Sequence, residues 1–177
     1  LPAVPALALT GGAPDANGVP GRAIVMITGS GSSLCTGTAI ASDLILTAAH
    51  CVQRSSVVRF SRLEAPLAIR AAAVHPRFNT QAYATHRATA DVALIKLAAP
   101  LPPGVAPAAL APAGLAVAPG HRMTVAGFGV TADGTAAGLG HARAASLVVT
   151  GQPGPLQIRL YDPATRNERP GLGACTG

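Results

Sequence analysis

Apolar positions along this chain fall in short runs, broken every few residues by Gly, Pro, Ser or Asp, and none sustains the 3.6-residue period of a long helix. Six such runs precede residue 99: AIVMI (23–27), TGTAIAS (36–42), LILTA (44–48), VVRFS (57–61), LAIRAAAV (67–74) and VALIKLA (92–98). They are β-branched or alternating, which predicts strands, and six strands make one small barrel or sandwich. The next stretch, APLPPGVAPAALAPAGLAVAPG (99–120), is dense in Pro and Ala and carries neither charge nor period. Proline lacks a ladder donor and keeps the chain extended, so this stretch is predicted to connect two cores. The strand pattern resumes in RMTVAGFGVT (122–131), ARAASLVVTG (142–151) and LQIRLYD (156–162). The prediction is an all-β chain with a first unit over 9–98, a connection over 99–120 and a second unit over 121–177.

Residues 1–8, LPAVPALA, stand apart. They end in Ala6-Leu7-Ala8, the A-x-A pattern that signal peptidase accepts, so they read as a leader or pro-segment remnant, with a short flexible arm as the alternative.

Composition narrows the classes of function. With 49% apolar and 11% charged residues the chain can bury a core and is not disordered. No apolar run approaches the ~20 residues of a membrane span, so no membrane partner is expected. The net charge of +6 comes from twelve Arg and Lys96 scattered singly between Arg22 and Arg169, with three Phe, two Tyr and no Trp. A nucleic-acid footprint would cluster its cations and interleave stacking rings, so nucleic acid is not an expected partner. The three cysteines, Cys35, Cys51 and Cys175, contain no C-x-x-C, and no His stands at zinc-finger spacing. Neither a metal nor another cofactor is expected. In an exported protein an odd cysteine count also means that one partner is missing.

The candidate chemistry lies in two stretches. LILTAAHC (44–51) sets His50 beside Cys51 at the end of an apolar strand, where the backbone holds a side chain rigidly while its ring reaches a cleft. Histidine suits general-base work because its unperturbed pKa lies near neutrality. Cys51 can bridge to Cys35 across the intervening hairpin and staple the turn that carries His50. Further on, ADVALIKL (90–97) puts Asp91 at the mouth of a strongly apolar strand. A half-buried carboxylate there needs a donor, and an imidazole N–H would serve while fixing the ring's tautomer. Taken singly, a structural histidine and a plain strand cap are the alternatives. His75, His86, His121 and His141 stand in surface-loop contexts.

Together TAAHC (47–51), DVALIKL (91–97), VAGFG (125–129) and GACTG (173–177), in this order, resemble chymotrypsin/trypsin-type serine endopeptidases over residues 9–177. That resemblance implies two antiparallel six-stranded barrels, the second incomplete in this sequence. It makes His50 the general base, Asp91 the residue that orients it, and Thr47 a support for the Asp91 carboxylate. In the family the last motif continues into Asp-Ser-Gly-Gly-Pro, so the nucleophilic Ser is expected just beyond Gly177, whose backbone N–H would serve the oxyanion hole. Gly173, Ala174 and Thr176 would line the primary specificity pocket. Gly173 stands where trypsin-like members carry Asp, which implies an apolar or small residue before the scissile bond. Cys35 and Cys51 match the family's disulfide beside the catalytic His, and Cys175 matches one whose mate lies further on. LTGG (9–12) resembles the Ile-Val-Gly-Gly start of an activated member. Acidic residues around 62–82, with Glu64 alone, are too sparse for a calcium loop of the family type.

The expected function is hydrolysis of peptide bonds in a polypeptide substrate by acyl transfer, with this sequence alone inactive. The alternative is a non-catalytic homologue acting as a binding module. A second chain or a cleaved remainder is expected to complete the second barrel. A disulfide beside the active site implies a secreted or periplasmic setting.

Overall fold

A computed structural model describes residues 13–29, 34–52, 56–59, 65–128 and 141–164. In chain order these form α1 (Gly18–Ala23), β1 (Ile24–Thr28), β2 (Leu34–Ala41), β3 (Leu44–Thr47), a single 3-10 turn (Ala49–Cys51), β4 (Val57–Arg59), β5 (Ile69–Val74), α2 (Thr80–Ala84), β6 (Ala93–Leu97), β7 (Arg122–Phe128), β8 (Ala142–Gly154) and β9 (Gln157–Tyr161). Among the described residues strands dominate the regular structure and helices are few and short, as the short apolar runs predict. All nine strands fall on runs read as strands, with ends shifted by up to three residues.

The first six strands form one antiparallel sheet in the order β4-β1-β2-β3-β6-β5. It curls until its margins meet, where the Leu67 N–H, just before β5, donates to the Val58 carbonyl of β4 at 2.8 Å. Alternation decides which side chains enter the curl. Ile45 on β3 and Ile95 on β6 are register partners, both fully buried, whereas Leu94 between buried neighbours faces out. Val25, Ile27, Ala39, Val58 and Leu97 complete this core, with the Cys35 and Cys51 side chains at one end. At its centre the walls touch closely. A Cβ on Gly37 would lie 2.5 Å from Cγ2 of Ile45 and 3.0 Å from Cδ1 of Ile27, so β2 can cross here only without a side chain.

The segment 99–120 contains no strand and is strapped down at both ends. The Leu101, Ala106 and Ala108 amides donate to the carbonyls of Ser42 just past β2, Arg22 of α1 and Ala39 of β2. At the far end Gly120, in the left-handed region (φ 90°), turns the chain so that its amide meets the Val149 carbonyl of β8. Strands β7, β8 and β9 then form a second antiparallel sheet. Ile24, Leu34 and Phe128 are buried together between the two sheets, and the Phe128 amide donates to Thr36 Oγ1 of β2 at 2.9 Å. The architecture is a curled six-stranded antiparallel barrel beside a second sheet, in keeping with the two-barrel fold.

One segment lies elsewhere than the sequence reading put it. Residues 13–16, assigned there to the first unit, pair with β8. The Ala144 amide donates to the Pro14 carbonyl at 3.0 Å and the Ala16 amide to the Ala142 carbonyl at 2.8 Å. Ala13 is buried against Ala145 and Leu147, and Arg143 Nη1 donates to its carbonyl at 2.7 Å. The reason is an open edge: β9 pairs with β8 only from Val148 onward, which leaves residues 142–145 an edge that this arm fills.

The Gly37 contact gives a test of the core. Ile45 is fully buried and cannot swing away, so Gly37→Ala should cost about 1–3 kcal/mol through overpacking. The urea midpoint should fall at unchanged slope; an unchanged midpoint would mean that the core has slack there.

Candidate active site

The site follows from one strand pairing. Strands β3 and β6 are antiparallel, with Thr47 opposite Ala93 at the end of the ladder, so the exit of β3 and the entrance of β6 share a rim. Leaving β3, the chain makes the Ala49–Cys51 turn and presents His50 three positions beyond Thr47; Asp91 stands two positions before Ala93. The two residues, forty-one positions apart, meet at that rim.

Asp91 uses both carboxylate oxygens on this one neighbour. Oδ1 accepts the His50 backbone N–H at 2.9 Å, and Oδ2 lies 2.6 Å from His50 Nδ1. A carboxylate can only accept, so the ring proton sits on Nδ1, and Nε2 of the neutral ring is left with a lone pair. The His50 and Asp91 side chains are 20% and 25% exposed, and partial burial strengthens this charge-assisted bond relative to one in water. Asp91 is aimed by its own backbone: its amide donates to the Thr89 carbonyl at 2.8 Å, and the Val92 amide to the Ala90 carbonyl at 2.9 Å.

Cys35 and Cys51 form a disulfide with Cα atoms 6.1 Å apart. It joins β2 to the 3-10 turn and ties the residue that follows His50 to the sheet. Cys51 Sγ lies 3.4 Å from His50 Nε2 and, as a disulfide sulfur, has no proton to give, so the lone pair stays available. Ligand atoms of Cys35, His50 and Cys51 lie within 4.8 Å of one another, but both sulfurs are consumed in the bond and offer no thiolate to a metal.

Thr47 has a different role from the one the resemblance implies. It is buried, and its Oγ1 donates to the Thr36 carbonyl at 3.0 Å. A hydroxyl has one proton, so Thr47 cannot also donate to Asp91. It fastens the end of β3 to β2 beneath the site. His75 and His121 serve their own loops, each Nδ1 accepting a nearby backbone amide at 3.2 Å. Gly173, Ala174, Cys175, Thr176 and Gly177, together with residues 1–12, lie outside the described residues.

One site residue escaped the sequence reading. Tyr83, on α2 in the loop between β5 and Asp91, stacks on the His50 ring with centroids 4.6 Å apart and planes 17° from parallel. Phe78 meets Tyr83 at a tilt, 6.2 Å between centroids. Burial raises the Tyr83 phenol above its ordinary value, and the negative charge of Asp91 raises it further. A signal existed in the sequence: a chain with two Tyr and three Phe places Phe78 and Tyr83 five residues apart, shortly before ADVALIKL.

A family model described as Trypsin matches residues 10–150, a span that holds both His50 and Asp91. Among solved structures, one of GrC matches with a TM-score of 0.65 at 23% identity, covering 79% of this chain and 65% of that chain. An atomic-resolution structure of HBP matches with a TM-score of 0.69 at 22% identity, covering 93% of this chain and 79% of that one. This chain therefore spans just under two thirds of the length of the first. At these identities the likeness is one of fold.

Two measurements check the site. Asp91→Asn removes the second cause of the Tyr83 shift and leaves the first. In a Tyr161→Phe background, the phenolate absorbance should therefore titrate at lower pH than with Asp91 present, yet still above the ordinary value of about 10. The sign for stability follows: the unfolded chain releases the phenol proton earlier, so with Asp91 in place stability falls as pH rises above about 10, and less so in the variant. An unmoved midpoint would place Asp91 too far away to act. Replacing Cys35 and Cys51 by Ser opens a loop spanning sixteen positions and should cost about 3 kcal/mol in denaturant titration. No loss would show that β2 and the 3-10 turn hold each other without the bond.

Proposed function

The chain belongs to the trypsin family, and from that premise we propose that it is a serine endopeptidase, cleaving polypeptide substrates by acyl transfer with His50 as general base and Asp91 as the residue that orients it. The observation that carries this reading is the double acceptance by Asp91, which sets the tautomer of His50 and leaves Nε2 free to take a proton. In this chemistry Nε2 removes the proton of the serine hydroxyl as that oxygen attacks the scissile carbonyl. The imidazolium so formed is stabilised by Asp91 and returns the proton to the leaving amine. Water then enters as the second nucleophile and the same ring activates it. By the family's order the serine would stand two positions after Gly177, and the Gly177 backbone N–H would donate to the developing oxyanion. Gly173, which the family's order would put at the pocket base, offers no carboxylate to pair with a Lys or Arg, which favours a small or apolar side chain before the cleaved bond.

A secreted or periplasmic setting fits this reading. A disulfide beside the site persists where thiols are not kept reduced. No helix among the described residues is long and apolar enough to cross a membrane.

The reading is tested with a serine-directed fluorophosphonate. The 177-residue chain should not be labelled, while a chain extended through the expected serine should take one label per molecule. Asp91→Asn should slow labelling by roughly 10⁴-fold, the scale on which tautomer loss acts in such triads. Labelling at an unchanged rate in His50→Ala would overturn the base assignment. Failure of the extended, folded chain to label would favour the non-catalytic binding module instead.

A further inference from the structure

Two edges of the His50 imidazole are accounted for, Nδ1 by Asp91 and Nε2 by its proximity to Cys51 Sγ, yet neither contact sets the plane of the ring. The torsion that turns a histidine ring is broad and roughly two-fold, so a single bond at one edge leaves the ring free to rock about it. A flat surface laid parallel to the ring removes that freedom. We propose that Tyr83 is a positioning residue for His50, its stacked ring holding the imidazole in the plane in which Nδ1 meets Asp91 and Nε2 faces the substrate. This deepens the endopeptidase reading and rests on it.

The geometry is that of an aromatic clamp. The rings are nearly parallel and their centroids lie within the range of stacked aromatic pairs. The same face favours the positive charge that the ring acquires when it takes a proton, since a cation within about 6 Å of a tyrosine face is attracted by its quadrupole. Tyr83 keeps a neutral phenol across the working pH range, because burial and Asp91 both oppose its ionisation.

Tyr83 is itself held, and by the segment that aims Asp91. Asn79 Oδ1 accepts the Gln81 and Ala82 amides, both at 2.9 Å, and so caps the turn that carries Tyr83. The Asn79 amide donates to Thr89 Oγ1 at 2.8 Å, while the Thr89 carbonyl accepts the Asp91 amide. Through Thr89, the cap under Tyr83 and the backbone of Asp91 are parts of one hydrogen-bonded loop. The face and the edge of His50 are therefore set by a single unit of chain, residues 79–91. A tyrosine that merely covered apolar surface would need no such tie; Tyr83 is 39% exposed and lies over a polar ring.

The test uses the 177-residue chain and needs no turnover. Proton NMR reads two signals of His50: the low-field Nδ1 proton bonded to Asp91, and the carbon-bound ring protons displaced upfield by the Tyr83 ring current. Both should be present in the wild type and kept in Tyr83→Phe, which preserves the stack. In Tyr83→Leu the ring-current displacement should vanish, and the Nδ1 proton should exchange with water roughly 2- to 10-fold faster, the range that a lost aromatic pair allows. Amide dispersion verifies folding, and Tyr83→Ala serves for the same comparison if the leucine variant does not fold. An Nδ1 exchange rate unchanged in a folded Tyr83→Leu or Tyr83→Ala chain would overturn the positioning role while leaving the catalytic pair intact. A low-field proton that survives Asp91→Asn, or is missing from the wild type, would overturn the pair and the clamp together.

Discussion

A carboxylate can only accept hydrogen bonds, and Asp91 spends both of its oxygens on the backbone and the ring of one residue. The first contact fixes where His50 sits and the second fixes which nitrogen holds the proton. Both depend on β3 and β6 being in register, and that register is set inside the barrel by apolar side chains. Ile45 and Ile95 fill the same layer of the barrel core. A slip of one residue would turn Ile45 outward and carry Asp91 about 3.3 Å along the rim. The chemistry of the site is thus held by the cost of exposing two isoleucines.

Thr36 extends that dependence across the molecule. Its carbonyl receives the Thr47 hydroxyl below the His50 turn, and its own hydroxyl receives the Phe128 amide from the second sheet. A β2 residue with no part in the chemistry thereby joins the floor of the site to the neighbouring sheet. The disulfide at Cys35, the adjacent residue, reaches the same turn from its other end.

What the sequence disclosed and what it hid differ by the range of the interaction. LILTAAHC and ADVALIKL were legible because their pattern is local: a short apolar run bordered by one polar side chain at the rim. The pairing of His50 with Asp91 could be inferred because carboxylate and imidazole chemistry asks for it. The partner of Thr47 could not, since a buried threonine accepts either solution, and only the approach of β2 decides between them. Tyr83 was hidden for a related reason. A five-residue helical turn leaves almost no periodic signal, and what made the tyrosine matter is the placement of a loop against a ring more than thirty positions earlier. The docking of residues 13–16 on β8 was equally illegible, because an open strand edge exists only once the sheet has formed.

That docking also imposes an order on events in time. The first barrel is closed by contacts between segments of residues 24–97, all available once that stretch of chain has been made. The arm at Ala13 has to wait for Arg143, 130 positions later. During N-to-C synthesis the barrel can therefore fold while its preceding residues remain undocked, and they settle only when β8 arrives. The arm's attachment is the longest loop closure among the described contacts named above, so it bears the largest entropic delay and belongs to the last steps of assembly. A segment made before the barrel yet docked after it makes the arm a reporter of completion: its protection from proteolysis marks molecules whose second sheet is in place.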